Sequence, residues 1–230
     1  MELQQQIMLA VDAVLFGYSR NEGVSVLLIK RKLEPFIHQW ALPGGFVHKN
    51  ESLEEAVYRE LEEETGVKVT YLEQLYSFGK PERDPRMRIV SVAYFGIVKS
   101  ESFRLHASTD AEDANWYSIK KLPKLAFDHK NIIKTALERL RAKIKYEPLG
   151  FELLSTRFLF SDLEHLYATL LDRDIDRRNF KKKIMQLGFV EVLSEKDLSS
   201  TVGRPGNLYK FNKDKYFKLK KDGFSFVLNL

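Results

Sequence analysis

The chain contains no cysteine. That excludes disulfides, thiolate zinc sites and cysteine nucleophiles, and it fits a reducing compartment. Histidine is scarce: His38, His48, His106, His129 and His165 are the five present, and no two stand at a metal-ligand spacing. A histidine metal centre is therefore not expected. No hydrophobic run approaches the roughly 20 residues that a membrane span requires. The N-terminus, "MELQQQIMLAVDAVLF", has no basic stretch ahead of its apolar residues, so neither a signal peptide nor a membrane anchor is expected. Internal repeats and low-complexity tracts are also missing. These absences predict a cytoplasmic protein with no membrane association.

The 230 residues suffice for two small domains, and an apolar content of 44% is enough to give both a core. The net charge of +5 is unevenly placed. Residues 151–230 hold fifteen Lys/Arg and eleven Asp/Glu, a net of +4, which leaves +1 for the rest. A nucleic-acid partner is thus suggested for the last third alone. Along the chain, two apolar runs joined by "GYSRNEG" predict strands and a tight connection, and "LEPFIHQWALPGG" predicts a loop. Ser52 and Glu55 form a capping box that starts a helix, and Gly66 stops it. Strand-like runs follow in "VKVTYLEQLYSF", "RIVSVAYFGIV" and "ANWYSI", then a long helix near "HKNIIKTALERLRAKIKY", with Asp128 as its simplest N-cap. Strands flanked by two helices make an α/β sandwich over residues 1–146. "EPLGF" reads as a linker, and residues 147–230 form a second domain.

The helix after Ser52 carries a run of glutamates. At about 100° per residue, with Leu53 at zero, Ala56, Val57 and Leu61 define an apolar stripe. Glu60, Glu64 and Glu63 fall at about 340°, 20° and 280°, along that stripe, whereas Glu54, Glu55 and Glu62 lie on the outer side. Inward carboxylates repel one another and resist desolvation. A divalent cation removes both penalties, and Mg²⁺ takes one or two carboxylates plus waters and substrate phosphates.

At these residues the sequence resembles the Nudix hydrolase family, whose pattern is met by Gly45, Glu51, Arg59, Glu60, Leu61, Glu63, Glu64, Gly66 and Val67. Nine fixed positions make the match specific. The resemblance implies an α/β/α sandwich acting on nucleoside diphosphates linked to another group. It further implies Mg²⁺ or Mn²⁺ held by Glu60 and Glu64, with Glu63 as a further ligand or a base and the Gly44 carbonyl assisting. Glu63, Glu60 and Arg59 form the implied catalytic set, with Glu51 and Arg59 bracing loop against helix. Gly45 and the basic residues Arg31, Arg83 and Arg86 are candidates to line the ligand site, the arginines as a diphosphate clamp. Trp40 or Trp116 is a candidate to stack on a base.

In the last third, Ser161 and Glu164 suggest a capping box. Leu163, Leu166, Tyr167 and Leu170 mark one helix, and Phe180, Ile184 and Leu187 mark a second. Strand "FVEVL", the loop with "GRPG" and strand "LYKFN" follow, as in a winged helix-turn-helix. Arg178, Asn179 and Lys182 face away from the apolar stripe, toward bases. Arg177, Lys181 and Lys183 are expected nearer phosphates, and Arg204 at the wing tip. A water-facing or protein-binding basic helix is the alternative. Taken with "LPGGFV", "ERDPR", "LAFDH", "EPLGFELL", "DRRNFKKKI" and "GRPGNLYKF", nearly the whole chain resembles the Nudix-related transcriptional regulators of bacteria. That resemblance implies a homodimer on a palindromic double-stranded DNA operator, with a nucleotide-type effector such as ADP-ribose. A plain Mg²⁺-dependent pyrophosphohydrolase is the alternative function, and a sugar-sensing regulator a weaker one.

Overall fold

The computed structural model of the chain describes residues 6–19, 21–67, 69, 71–98, 113–197 and 205–228. Internal contacts divide the chain into two compact units. One comprises the residues up to Gly17 with Ser25–Arg139, the other Tyr18–Val24 with Leu140 onward. No helix among the described residues is long and apolar enough to cross a membrane.

The first unit is built on β1 (Met8–Ser19), β2 (Gly23–Lys30), β3 (Trp40–Ala41), β4 (Gly44–Phe46), α1 (Leu53–Thr65), β5 (Tyr71–Phe78), β6 (Ile89–Ile97), β7 (Ala114–Ser118) and α2 (His129–Lys143). Among the described residues the seven strands form one mixed sheet in the order β3-β2-β1-β6-β5, with β4 added to β1 and β7 to β2. β1 is a continuous buried apolar run because it lies inside the sheet, parallel to β6. Its side chains alternate. Val11, Ala13 and Leu15 pack with Ala56, Val57 and Leu61 of α1. Asp12, Val14 and Phe16 point to the other face, where Asp12 meets His129 at the start of α2.

The capping box of α1 forms as its sequence dictates. Ser52 Oγ accepts from the Glu55 amide at 3.2 Å, and the Glu55 carboxylate accepts from the Ser52 amide at 2.7 Å. Gly66, at φ +64°, closes the helix by donating to the Glu62 carbonyl. That left-handed conformation is why a glycine stands there. The stretch expected as an uninterrupted loop, "LEPFIHQWALPGG", instead contributes β3 and the start of β4, because Ile29 and Lys30 of β2 pair with Ala41 and Trp40.

The second unit contains a 3-10 helix at Pro148–Glu152, then β8 (Phe158–Leu159), α3 (Phe160–Leu171), α4 (Arg177–Gln186), β9 (Val190–Asp197), β10 (Gly206–Phe211) and α5 (Lys213–Lys221). β10 lies between β8 and β9, antiparallel to both. Two helices followed by an antiparallel ribbon make a winged helix. Residues 198–204 lie outside the described residues.

Two expectations need correction here, and one element was not anticipated. "EPLGF" is no linker: it forms the 3-10 helix and buries Leu149, Gly150 and Phe151. A Cβ at Gly150 would sit 2.7 Å from the Tyr167 ring, so the glycine permits close packing. The box at Ser161 and Glu164 does not form. α3 starts earlier, at Phe160, and the Asp162 carboxylate accepts from the Leu159 amide. That element is α5, which the sequence pattern did not announce because its apolar content is low. It is fixed by Tyr216, whose ring packs against Phe189 at 5.4 Å and Phe211 at 5.9 Å.

Candidate functional site

β4 and α1 meet where the two glycines stand. Gly44 lies at φ +152°, and a Cβ there would come within 2.1 Å of the Val11 carbonyl oxygen. A Cβ on Gly45 would meet the Glu60 carboxylate at 2.3 Å. Only a bare backbone lets β4 pass between β1 and the carboxylates of α1. Arg59 ties the approach together. Its guanidinium donates to both Glu51 oxygens at 2.7 and 2.9 Å, to the Phe46 carbonyl at 3.1 Å and to Glu60 at 2.7 Å. Hydrogen bonds from Arg59 and the His48 amide hold the Glu51 carboxyl down at about 2.

The three inward carboxylates of the helical wheel divide in two. Glu64 is buried and Glu60 half-buried, but Glu63 is exposed, held from outside by Arg59 at 3.2 Å. Glu63 lies at the rim of the stripe, about 20° from the buried Ala56 on the wheel but about 110° from the centre of Ala56, Val57 and Leu61, whereas Glu60 lies about 50° from that centre. Glu64 accepts from the Gly44 amide at 2.8 Å. Burial pushes its carboxyl up to about 8, helped by the charges of Glu60 and Asp12. Glu60 is also raised, first by burial. Among the described residues no group of three His, Cys, Asp or Glu is arranged to hold a metal ion. Two desolvated carboxylates beside a glycine backbone nevertheless suit a hard cation that completes its shell with water and phosphate.

Next to these residues lies a cleft of about 250 Å³ lined by Asp12, Arg31, Gly44, Gly45, Phe46, Arg83, Arg86, Phe127 and His129 among others. Arg31 stacks 4.8 Å from the centroid of Phe127. Arg86 lies 5.5 Å from Phe46 and 5.9 Å from Phe127. Burial, and then the charge of Arg86, lowers the pKa of Arg31. Two cations thus meet over one ring, Arg86 with the Asp84 carboxylate already on its guanidinium at 2.8 and 3.0 Å. Phe127 adopts φ +49°, a left-handed conformation uncommon outside glycine that aims the ring at the cleft. Neither tryptophan lines this cleft. Trp40 packs edge-on against Tyr117, and Trp116 packs on the α1-side core.

Arg83 lines the same cleft. It is buried, and its guanidinium donates to Asp128 at 2.8 Å and to Asp12 at 3.2 Å. Burial works against its charge, but these two partners outweigh it and raise its pKa. Asp128 is thereby occupied by Arg83. The helix start takes the Asp128 carbonyl instead, which accepts from the Asn131 and Ile132 amides. The network continues from Asp12 to Ser91 Oγ at 2.5 Å and to His129 Nε2 at 3.3 Å, while His129 Nδ1 accepts from the Leu42 amide at 2.8 Å. Burial keeps His129 below its ordinary pKa. Asp12 and Ser91 carried no sequence signal beyond a polar residue inside an apolar run, and His129 stood only as the last residue of "LAFDH".

In the second unit Asp176 caps α4 by accepting from the Asn179 amide at 2.9 Å. Phe180 and Ile184 are buried, Leu187 partly so. Arg177, Arg178, Asn179, Lys181 and Lys182 are exposed, as the stripe predicts. Arg177 pairs with Glu164 at 3.1 Å. Lys181 lies 5.4 Å from both the Phe160 and Tyr209 rings. Arg204 falls outside the described residues.

The NUDIX domain family matches residues 7–136, and the NrtR DNA-binding winged helix domain matches residues 150–211. A relative from Acinetobacter baylyi, the ADPR responsive transcriptional repressor NtrR, is 32% identical over 209 residues, 89% of this chain and 82% of that one. The crystal structure of Shewanella oneidensis NrtR complexed with a 27mer DNA has a TM-score of 0.77 and 33% identity, covering 96% of this chain and 99% of that one. The NUDIX domain of the same protein complexed with ADP ribose is 38% identical, with a TM-score of 0.54, over 59% of this chain and 90% of that one.

Proposed function

The chain belongs to the NUDIX domain family and carries an NrtR-type winged helix, and on that premise we propose that it is an ADP-ribose-responsive transcriptional regulator. The reading assigns an effector-binding Nudix domain to residues 1–146 and a DNA-binding domain to residues 147–230. The protein works in the cytoplasm as a homodimer on a roughly palindromic operator. The observation that carries the proposal is α4: a capped helix whose apolar stripe is buried and whose basic and amide side chains are left exposed. The Acinetobacter and Shewanella relatives support it through their DNA and ADP-ribose.

In the first unit Glu60 and Glu64 would hold Mg²⁺, with the backbone at Gly44 and Gly45 close by. Such an ion would supply neutralisation of phosphoryl oxygens and polarisation of water. Arg31 and Arg86 take the diphosphate, and Arg83 keeps the floor of the cleft in shape. Arg59 orients Glu60, and Glu63, exposed at its side, is placed to accept a proton from water. An intact set of this kind also supports hydrolysis of a nucleoside diphosphate derivative as a second reading, in which the protein is an enzyme alone.

The two readings separate in one titration. DNA affinity should change by a coupling of about 1–3 kcal/mol when ADP-ribose is added, and ADP-ribose affinity should change by the same factor when operator is added. Tight ADP-ribose binding that leaves DNA affinity unmoved favours the plain enzyme. On the DNA side, Arg178→Ala should spare folding, since the side chain is exposed. It should cost about 1–3 kcal/mol on the specific site and relax preference at one base pair per half-site. Operator binding by the Arg178→Ala/Asn179→Ala/Lys182→Ala variant equal to that of the parent removes α4 from the interface.

A further inference from the structure

The NrtR winged-helix match ends at residue 211, and α5 starts two residues later. Its sequence, KDKYFKLKK, sets five lysines against one aspartate, a net of +4. That equals the net charge of all residues from 151 to 230. α4 contributes five further basic residues, so the remainder of that region is acidic. Positive charge in this unit is concentrated on two helices.

The two helices are held together at one end. Asn212 caps α5 by accepting from the Lys215 amide at 2.9 Å, and its own amide donates at 2.8 Å to the carbonyl of Phe189, just beyond α4. Tyr216 is buried against Phe189, which fixes the rotation of α5. Lys215, Lys218 and Lys221 then follow one another at three-residue steps, roughly 4.5 Å of rise apart, across the exposed side. Lys213 is engaged by Glu152 at 2.6 Å and Lys210 of β10 by Glu191 at 3.1 Å. Among the described residues Lys218, Lys220 and Lys221 make no ion pair. Phe217 is 61% exposed among them.

We propose that α5 is a second DNA-contacting element, whose Lys215, Lys218 and Lys221 neutralise backbone phosphates outside the base pairs read by α4. The inference rests on the regulator function proposed above. Exposed lysines at regular intervals suit the regular charge of a duplex and carry no sequence information. A membrane-surface helix would need an apolar face, but the apolar side of α5 is committed to the core through Tyr216 and Leu219.

Because the contact is sequence-independent, the test uses the full chain and a random-sequence DNA duplex in a KCl series. For the variant Lys215→Gln/Lys218→Gln/Lys221→Gln, the slope of log affinity against log salt should become shallower by about 2–3. Its melting temperature should stay that of the parent. As a control, Lys120→Gln/Lys121→Gln/Lys124→Gln removes the same charge from exposed positions of the first unit, and its slope should match the parent. An α5 variant with the parent's slope overturns the inference, as does a control that loses as much as the α5 variant. So does an unchanged DNA slope with lost binding to phosphatidylserine vesicles, which would assign the helix to lipid. A parent with no salt-sensitive DNA binding overturns the regulator function itself, and that is seen before any variant is made.

Discussion

Glu64→Gln is expected to abolish the stabilisation that Mg²⁺ gives the parent, and also to raise the melting temperature of the metal-free protein at pH 8. The two signs come from one cause. Glu64 is buried, and burial together with the charges of Glu60 and Asp12 raises its carboxyl to about 8. In the unfolded chain it titrates at its ordinary value. Between those two values the folded protein holds a proton that the unfolded chain has released. Stability from this group therefore falls as pH rises from the ordinary carboxylate range through about 8. A glutamine keeps an oxygen for the Gly44 amide and removes the titration. His129, held low by burial, gives the opposite trend below its ordinary pKa, but it does so in parent and variant alike, so the difference between them isolates Glu64.

Mg²⁺ reverses the order, because an ionised Glu64 becomes a ligand. At about a hundred times its dissociation constant, a ligand that binds only the folded state adds about 2.7 kcal/mol. A neutral amide is a poor ligand for this ion, so the variant should lose that gain and any ADP-ribose hydrolysis the parent performs. Thermal melts with MgCl₂ and with EDTA, at pH 6 and pH 8, read both effects. An Mg²⁺ response as large in the variant as in the parent would falsify the assignment of the ion to Glu64.

Asp12→Ala is expected to cost about 3–5 kcal/mol, the scale for breaking a buried charge network by removing one partner. Asp12 receives Arg83, Ser91 and His129 at once. Without it Arg83 keeps only Asp128, and the Ser91 hydroxyl, wholly buried, loses its acceptor. Because Arg83, Asp12 and His129 all line the cleft, ADP-ribose binding should weaken as well. Asp12→Asn, which keeps an acceptor but no charge, should fall between variant and parent. Adding Arg83→Met to Asp12→Ala should deepen the loss, since Arg83 still holds Asp128 at 2.8 Å and that carboxylate is then left without its partner. Denaturant midpoints for the four proteins provide the measurement. A midpoint of Asp12→Ala equal to the parent's means that the network holds nothing together.

By itself the sequence determined those parts whose physics is local. α1 is bounded by a capping box at Ser52 and Glu55 and a glycine at Gly66, all within hydrogen-bond reach along the chain. The partnership of Glu51 with Arg59 is what the Nudix resemblance implied, and the basic face of α4 follows from the period of Phe180 and Ile184. The tertiary structure decided whatever depends on distant segments. Asp12, Arg83, Ser91, Asp128 and His129 meet because β1 lies beside β6 and α2 begins over the sheet face that Asp12 occupies. No periodicity connects those positions. The same holds for Glu63, which a helical wheel placed inward. How wide the buried stripe is depends on what packs against the helix, and here the packing reaches Glu60 and Glu64 but leaves Glu63 in water. The 3-10 helix at Pro148–Glu152 and α5 are further instances. Phe151 and Tyr216 are buried by aromatic partners remote in the chain, and a short segment with so few apolar residues has nothing local to declare which way it will turn.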